Sequence, residues 1–390
     1  MLTDTTLRQK PWQRLFEQLL SNWNERQSSD WDLGETTLDS TVYTCSEQYR
    51  AEVEKLFHRL PLCLGHADQL PIGSMMARTV VGVPMLLTRD DEGSVRVLVN
   101  VCRHRGARLL AADGQICRRS KLSCRYHGWT YGLDGRLAGV PRAEAFPTLD
   151  RASHGLYELQ STVCHGLIWV VLGREAGPQI SVSDYLGGLN DDLAELAIVQ
   201  QRFFRQNVVL RKANWKLIVD AFVEFYHIKR LHAASIASFF ADTEAATESV
   251  GPHLRMLVGR SEFGAIQQLP AEEWSPRTHA SLVHFVFPNS IIVYHPDYTS
   301  HIGVFPVTVD QSLFVHTILT PENPTGQKAQ AHWDRSFDLI DGEVFNNEDL
   351  FICEQIQLGL AAAESRRFVL GRFENNVRRF HETIAEALAT

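Results

Sequence analysis

Two short Cys/His motifs in the first half of the chain constrain its fold more than any other feature. The first is Cys102-x-His104 in NVCRHRGARLL, and the second is Cys124-x2-His127 in SCRYHGWTYG, with 19 residues between His104 and Cys124. A glycine closely follows each motif and permits a turn in which backbone N–H groups approach a bound group. Thiolate and imidazole together suit zinc or an iron–sulfur cluster. The chain is therefore expected to fold so that both loops meet at one metal site.

The distribution of ligands between the two loops favours an iron–sulfur cluster over zinc. Mixed zinc sites are usually built from two C-x2-C or C-x2-H loops. Here each loop supplies one cysteine and one histidine, as is needed when two sulfurs hold one iron and two imidazoles hold the other. This is the arrangement of a Rieske [2Fe–2S] cluster, and Gly106 and Gly128 would let N–H groups approach its sulfurs.

Composition excludes several classes of function. The 390 residues, 44% apolar and 22% charged, suffice for two domains with their own cores. A net charge of −8 without a long basic run argues against nucleic-acid binding. The longest apolar run, GLIWVVL, is too short to span a membrane, and the amino terminus has no apolar stretch. Seven irregularly spaced cysteines fit metal ligands and buried thiols, so we predict a cytoplasmic protein.

Hydrophobic periodicity divides the chain into a strand-rich first part and a mixed second part. Residues 10–28 have the apolar spacing of an amphipathic helix, and residues 77–102 indicate a β-hairpin. A second hairpin is predicted at WTYGLDGRL and a buried strand at HGLIWVVL, so residues 41–170 are expected to form an all-β unit. The second part shows a strand entering a helix capped by Asn214, a strand meander over residues 281–319, and two late helices. This pattern predicts an α+β domain with helices on an antiparallel sheet.

A second candidate metal site lies in NWKLIVDAFVEFYHIKRLH. In a continuous helix Asp220, Glu224 and His227 would share one face, within roughly 60° of one another. His232 would be rotated by roughly 140° from His227, so both imidazoles can bind one ion only if the helix widens or ends between them. Two histidines and a carboxylate form the facial triad that leaves open positions on Fe(II). The residues alone leave many carboxylates open as the third ligand.

Both regions resemble the catalytic α subunits of the Rieske non-heme iron oxygenases, a family that includes the aromatic-ring-hydroxylating dioxygenases. CRHRGARL and CRYHGWTYGLDGRL are similar to the family's cluster loops, although the connection through AADGQICRRSK is longer than usual and is expected to form an enlarged turn. The family's N-W-K, acidic residue and E/D-x-x-H-x4-H match the stretch from Asn214 to His232. The resemblance covers the chain from about residue 40 to its last helix.

The resemblance implies two sets of metal ligands. The [2Fe–2S] ligands would be Cys102, His104, Cys124 and His127, and the ligands of a mononuclear Fe(II) would be His227, His232 and Asp349. The choice of Asp349 follows from the family's E-x-x-Q ending, which matches Glu354 and Gln357 here. Glu348 is the near alternative.

The resemblance also implies catalytic roles for Glu224, Asn214 and Asp220. Glu224 would accept one hydrogen bond from His227 and another from His127 of a neighbouring subunit, and would thereby form the electron path between the two centres. Many members of the family have Asp at this position. Glu is similar to the branch that acts on quaternary ammonium compounds such as carnitine and choline.

The architecture implied by the resemblance has three parts. Residues 1–40 are expected to form a helical segment that packs on the catalytic domain, residues 41–170 an all-β Rieske domain, and residues 171–390 a catalytic domain of helix-grip type. The subunits are expected to form a head-to-tail homotrimer, in which one subunit's cluster serves its neighbour's iron.

The implied function is that of an oxygenase component that uses O2 to hydroxylate, dihydroxylate or oxidatively demethylate a small organic substrate. The substrate class stays open between aromatic compounds and N-methyl or quaternary ammonium compounds. Because the chain has no G-x-G-x-x-G after a strand, electrons must come from a separate NAD(P)H-dependent reductase, with or without a ferredoxin. Two alternatives are a Rieske electron carrier and a ligand-binding helix-grip module without oxygenase activity, and the intact second ligand set argues against both.

Two further groups of residues are candidates for contacts with partners. Basic residues around the ligand loops could bind an acidic electron donor or form a solvated surface: Arg103, Arg105, Arg108, Arg118, Arg119, Lys121 and Arg125. Phenylalanines in the second half could line an apolar pocket or lie in the core: Phe222, Phe225, Phe239, Phe240, Phe285, Phe287 and Phe345.

Overall fold

The structure, a computed structural model, describes residues 10–26, 34–173, 180–241, 245–362 and 367–389. The strands in these ranges are β1 (Thr36–Asp39), β2 (Leu62–His66), β3 (Ser74–Val80), β4 (Val83–Arg89), β5 (Val95–Val99), β6 (Ile116–Cys117), β7 (Lys121–Ser123), β8 (Thr130–Gly132), β9 (Leu137–Gly139), β10 (Ser161–Cys164), β11 (Leu167–Val170), β12 (Arg202–Arg211), β13 (Ala246–Val250), β14 (His253–Gly259), β15 (Ala280–Val286), β16 (Ser290–Tyr294), β17 (Thr299–Thr308), β18 (Gln311–Thr320) and β19 (Arg367–Leu370).

The α-helices in the same ranges are α1 (Gln13–Glu25), α2 (Ser46–Glu52), α3 (Val182–Leu186), α4 (Gly188–Glu195), α5 (Trp215–Val223), α6 (Ile228–Leu231), α7 (Gln327–Phe337), α8 (Leu350–Ala362) and α9 (Asn375–Ala389). Two π-helical segments, Val53–Phe57 and Asp338–Asp349, continue α2 and connect α7 to α8. No helix within the described ranges is both long and apolar enough to cross a membrane.

The second half of the chain is built on an antiparallel sheet. Its strands within the described residues follow the order β12-β18-β17-β16-β15-β14-β13. Every residue of β15 is buried, because helices cover the sheet on one side and neighbouring strands lie on either side. Helix α5 packs against both β17 and α8, and α1 packs against β13 and β14. The predicted α+β architecture is confirmed.

The cluster-motif region contains small antiparallel sheets. The described strands pair in the orders β5-β4-β3-β6, β7-β8-β9 and β10-β11-β2. Both predicted hairpins are present, as β4 with β5 and as β8 with β9. One compact hydrophobic cluster in this region includes Cys102 and Cys124 together with Trp129, Tyr131 and neighbouring leucines. The cysteines of the two motifs are therefore brought into a common core.

Buried contacts join the first part of the chain to helix α5. Lys216 of α5 donates to both carboxylate oxygens of Glu52 at 2.7 Å, and neither side chain is exposed to solvent. Burial lowers the pKa of Lys216, and the charge of Glu52 opposes that shift. Trp215 Nε1 also donates to Glu52, at 2.8 Å. Because each charge satisfies the other, this pair fixes the start of α5 against α2.

The structure differs from the sequence predictions at several elements. The prediction of an all-β unit is wrong for residues 46–57, which form α2 and a π-helical turn. Strands β13 and β14 and helix α7 were not predicted. Only Trp333 and Phe337 of α7 are buried, so its sequence carries a weak apolar period. The predicted enlarged turn in AADGQICRRSK contains the short strand β6, which pairs with β3.

Candidate metal centres

The two cluster loops have the same backbone geometry. In the first, the Cys102 amide donates to the Ala107 carbonyl at 2.8 Å, and the Gly106 amide donates to the Cys102 carbonyl at 2.9 Å. In the second, the Gly128 amide donates to the Cys124 carbonyl, also at 2.9 Å. Gly106 and Gly128 have φ of 77° and 74°, in the left-handed region that favours glycine. The local sequence therefore builds two equivalent turns, each presenting one cysteine and one histidine.

The four predicted cluster ligands lie together. The rings of His104 and His127 are 4.6 Å apart between centroids, and His104 stacks on the indole of Trp129 at 4.9 Å. Cys102 and Cys124 are only 2% and 4% exposed. His104 Nδ1 is buried and has no hydrogen-bond partner among the described residues. Burial, with the nearby His127 and Arg105, lowers the pKa of His104 and favours the neutral ring that a metal requires. This donor set fits a [2Fe–2S] cluster.

Tyr131 is a contact of the cluster loop that the sequence reasoning missed. It is fully buried on β8, its hydroxyl lies 3.4 Å from Cys102 Sγ, and the Arg103 amide donates to that hydroxyl at 3.0 Å. Burial and the hydrogen bond to Cys102 raise the pKa of Tyr131, so the hydroxyl keeps its proton and can donate it to the sulfur. Trp129 just before β8 and Tyr131 within it are two residues apart and both buried, and this alternation was the sequence signal that could have identified Tyr131.

Replacing Gly128 by alanine is expected to lower cluster occupancy much more than replacing Gly106. Both substitutions place a Cβ at positive φ, at a cost of about 1–2 kcal/mol. A Cβ on Gly128 would also lie 2.9 Å from Pro141 Cγ, whereas a Cβ on Gly106 meets nothing within 4 Å. Visible absorption and iron content of the two purified variants give the measurement. Equal occupancy in both variants would show that the Pro141 contact does not shape the second loop.

The three predicted iron ligands come from the ends of two helical segments. Helix α5 ends at Val223, and the short helix α6 lies between His227 and His232. Asp349 is the last residue of the π-helical segment that precedes α8. One ligand atom from each of the three lies within 4.8 Å of the others. The expectation that the helix widens or ends between the two histidines is wrong, because α5 already ends at Val223 and α6 fills the stretch between them. The shared helix face for Asp220, Glu224 and His227 is wrong for the same reason, since α5 stops before Glu224.

Two carboxylates orient the histidines from behind. Glu224 Oε1 contacts His227 Nδ1, and Glu348 Oε2 accepts from His232 Nδ1 at 2.7 Å and from Ser235 Oγ at 2.6 Å. Each ring therefore has Nδ1 occupied and Nε2 left for a metal. Glu348, the near alternative to Asp349, supports a ligand ring in this arrangement.

Asp349 is the carboxylate that faces the free Nε2 atoms of His227 and His232. Its Oδ1 lies 3.6 Å from His227 Nε2 and 3.2 Å from His232 Nε2, and Asp349 is 3% exposed. No hydrogen bond to this buried oxygen is formed within the described residues. Burial alone would lower the pKa values of both histidines, but Glu224 raises that of His227 and Asp349 raises that of His232. Two imidazoles and an unpartnered buried carboxylate form the donor set of a non-heme Fe(II) site.

Asn214 and Asp220 are not placed beside these ligands. The Asn214 side chain accepts from the Lys216 amide at 3.0 Å as the N-cap of α5, confirming the predicted cap. Asp220 accepts from Tyr43 Oη at 2.6 Å and contacts His381 Nε2 at 3.1 Å. Neither residue lines the cavity described below. Because Asn214 begins a nine-residue helix, it lies roughly 13 Å from the end of α5 near the ligands.

A cavity of about 90 Å³ opens beside the three ligands. Helical residues form one side of it, and β14, β15 and β16 supply the other. Its apolar lining consists of Ala221, Phe222, Phe225, Ile228, Ile236, Phe240, Val258, Val283, Val293, Ile340, Val344 and Phe345. Of the other candidate phenylalanines, Phe285 and Phe287 are core residues and Phe239 is 45% exposed. Ser281 and His295 are polar lining residues outside the metal-ligand region.

The basic residues near the cluster divide into two groups. Arg103 lies over the Tyr157 ring at 3.8 Å, Arg108 pairs with Asp113 at 2.7 Å, and Arg105 donates to the Tyr126 hydroxyl at 3.0 Å. Exposed side chains make up the second group: Arg118, Arg119, Lys121 and Arg125. Part of the predicted basic surface therefore supports the loops themselves.

Family models match both parts of the chain. The Rieske [2Fe-2S] domain matches residues 61–150, and the ring hydroxylating alpha subunit (catalytic domain) matches residues 197–390. The glycine betaine monooxygenase oxygenase subunit of Chromohalobacter salexigens is 30% identical over 60% of this chain, a match that spans 52% of that relative. The carnitine monooxygenase oxygenase subunit of Acinetobacter baumannii is 27% identical, over 83% of this chain and 85% of the relative.

Two solved structures share the fold of this chain over nine-tenths or more of its length. A quaternary ammonium Rieske monooxygenase in complex with L-carnitine matches with a TM-score of 0.75 and 23% identity, over 90% of this chain and 95% of that one. Naphthalene 1,2-dioxygenase from Rhodococcus sp. matches with a TM-score of 0.74 and 20% identity, over 96% and 98% of the two chains. The chain thus belongs to the Rieske oxygenases as a catalytic α subunit, which carries a [2Fe–2S] cluster and a mononuclear iron.

Proposed function

We propose that His227, His232 and Asp349 bind the mononuclear iron and that Cys102, His104, Cys124 and His127 bind the cluster. The observation that carries this assignment is the convergence of three ligand atoms within 4.8 Å in the wall of an apolar cavity. When bound, the iron supplies dioxygen activation, with electrons stored in the cluster. Glu224 and Glu348 hold the histidine rings, and the apolar walls exclude water from the reacting substrate.

Electron transfer is proposed to run between neighbouring copies in a head-to-tail trimer. The side chain of Glu224 is 13% exposed to solvent. Because it contacts His227, it lies at the edge of the proposed iron site. Next to it, Tyr226 stacks on Phe373 at 5.3 Å, and both rings are exposed. Around the cluster, Tyr126 is 56% exposed and stacks on His127 at 3.7 Å. Two exposed aromatic surfaces, each beside one redox centre, suit an interface between copies.

The proposed reaction is monooxygenation of a small N-methyl or quaternary ammonium compound. The glycine betaine and carnitine monooxygenase relatives support this substrate class, as does a glutamate at position 224. Phe222, Phe225 and Phe345 line the cavity near two carboxylates, Glu224 and Asp349. Aromatic faces and negative charge both attract a cation that has no N–H to donate.

Oxidation of an aromatic substrate is the second candidate. Among the described residues that line the cavity are four phenylalanines but no tyrosine or tryptophan, and Phe222 and Phe345 meet edge to face at 5.2 Å. Such a wall also accepts a neutral aromatic ring.

The test is a substrate panel with reconstituted protein and an artificial reductant. Oxygen consumption is followed for choline, carnitine and glycine betaine and for indole and benzoate, with products identified by mass spectrometry. We expect coupled oxygen use and a product carrying one added oxygen, or its breakdown products, with an N-methyl compound. Dihydroxylation of the aromatic compounds alone would favour the second candidate, and a protein that retains only two irons per chain would contradict the iron assignment.

The remaining parts of the proposal concern organisation and partners. The subunit works with a reductase, and we propose that the reductase docks at the exposed basic side chains, with or without a ferredoxin. The segment through residue 40, the Rieske domain over 41–170 and the catalytic domain over 171–390 stay the proposed divisions. A cytoplasmic location likewise stays a prediction.

A further inference from the structure

We propose that Ser281 and His295 form a subsite that binds an electron-rich oxygen group of the substrate, a carboxylate or a carbonyl, on the sheet side of the cavity. This inference rests on the proposed function, because it concerns how the same cavity orients its substrate. It adds a second recognition element to a site whose metal ligands all lie on the helical side.

Strand register places the two side chains next to each other. In the β15–β16 pair, Val283 is opposite Val293 and Leu282 is opposite Tyr294, so the next pair in this register is Ser281 with His295. Alternate residues face the same side of a sheet, and Val283 and Val293 line the cavity. Ser281 and His295 therefore share that face, at a separation where directly opposed side chains interact.

Both side chains have hydrogen-bonding capacity that the described protein does not use. Ser281 is 2% exposed, and its Oγ is buried without a hydrogen-bond partner among the described residues. The same holds for His295 Nε2. A buried polar atom without a partner is energetically unfavourable, because it has lost its hydrogen bonds to water without replacement. Two such atoms in one otherwise apolar wall indicate that a ligand completes their hydrogen bonds.

The surroundings determine the charge of the group that fits. Burial lowers the pKa of His295 to about 3, with contributions from His316, Arg260 and Arg277, so its ring is neutral at physiological pH. The ring stacks on Tyr298 at 4.3 Å, which fixes its orientation. Arg260 comes directly after β14, two residues beyond the lining residue Val258, and forms an isolated bridge with Phe240, which also lines the cavity. The Ser281 hydroxyl and, in its Nε2–H tautomer, the His295 ring are neutral donors, and the positive charge of Arg260 and Arg277 nearby favours an anionic or carbonyl oxygen there over a cation.

Binding of four matched probes tests the subsite without turnover. Glycine betaine and choline carry the same trimethylammonium group, with a carboxylate in one and a hydroxyl in the other. The analogues in which a neutral tert-butyl group replaces the trimethylammonium group are the anion 3,3-dimethylbutanoate and the neutral alcohol 3,3-dimethylbutan-1-ol. Affinities for the reconstituted protein are measured by anaerobic calorimetry. We expect each carboxylate to bind roughly tenfold or more tightly than its alcohol, since hydrogen bonds to a charged group are the stronger kind.

Ser281→Ala and His295→Leu are each expected to reduce this carboxylate-to-alcohol ratio to near one. Ser290→Ala is the matched control, because Ser290 is also 2% exposed with an unpartnered Oγ but does not line the cavity. If His295→Leu fails to fold, Ser281→Ala alone decides. A ratio near one in the unaltered protein, absence of carboxylate binding, or an unchanged ratio in Ser281→Ala would overturn the subsite. Preference for the tert-butyl compounds over the ammonium compounds would instead contradict the proposed substrate class.

Discussion

A His227→Ala variant is expected to lose product formation by at least ~10³-fold while keeping the visible and electron-paramagnetic spectra of the [2Fe–2S] cluster. The substitution removes one of the three proposed iron ligands. Losing several kcal/mol of the transition-state stabilisation that the iron supplies corresponds to this factor. The cluster ligands lie in a separate hydrophobic cluster around Cys102 and Cys124, so their geometry does not depend on His227. Iron content should fall from about three to about two per chain.

His332→Ala is the matched control for this measurement. His332 is an exposed histidine paired with Asp297 at 2.6 Å, so its replacement removes an imidazole without touching either centre. The control should retain all its iron and its turnover rate. A normal rate of product formation in His227→Ala, at the reduced iron content, would remove His227 from the catalytic site.

The cluster loops were predictable from the sequence because their geometry is local. Each cysteine is two or three residues from its histidine, and the glycine that closes the turn follows one or two residues after the histidine. A short loop leaves few backbone conformations, so residue type and spacing nearly specify the arrangement. The strands that bring the loops together were predictable for the same reason, since alternating residues and turn signals mark β4, β5, β8 and β9.

The iron site depends on contacts that spacing cannot specify. Its third ligand was chosen by resemblance to a family motif, because neither Asp349 nor Glu348 differs from other acids in local pattern. The structure separates them, since Glu348 contacts His232 across 116 residues of chain while Asp349 is directed at both Nε2 atoms. The π-helical segment before Asp349 sets this difference, and its hydrogen-bond shift has no simple sequence signal.

The residue at which α5 ends could likewise not be predicted from the spacing of apolar residues. WKLIVDAFVEF has good helical spacing, and an uninterrupted helix would have carried Glu224 and His227 on the face of Asp220. In the structure Glu224 has extended backbone angles, and its carboxylate accepts from the Tyr226 and His227 amides. A side chain that satisfies free backbone donors after a helix end competes with continued helix. The hydrogen bonds that Glu224 makes to these two amides therefore compete successfully with helical propensity at this point.

Replacing Glu224 by glutamine is expected to give a fully loaded protein in which electrons pass between the two centres roughly 10–100-fold more slowly. Glutamine keeps the size of the side chain but removes its charge and one acceptor. The proposed bridge requires a carboxylate that accepts from His227 on one side and from His127 of a neighbouring copy on the other. The measurement is a single turnover with pre-reduced protein, following the rate at which the cluster is reoxidised on mixing with oxygen and substrate.

Glu348→Gln separates bridging from ring support, because Glu348 contacts the Nδ1 of the other ligand histidine in the same way that Glu224 contacts that of His227. If both carboxylates only orient rings, the two variants should lose iron affinity alike and slow cluster reoxidation alike. If Glu224 also conducts electrons, only its variant should slow reoxidation at full iron occupancy. Near-normal reoxidation in Glu224→Gln would place the electron path elsewhere, and slow reoxidation in both variants would reduce Glu224 to a support for His227.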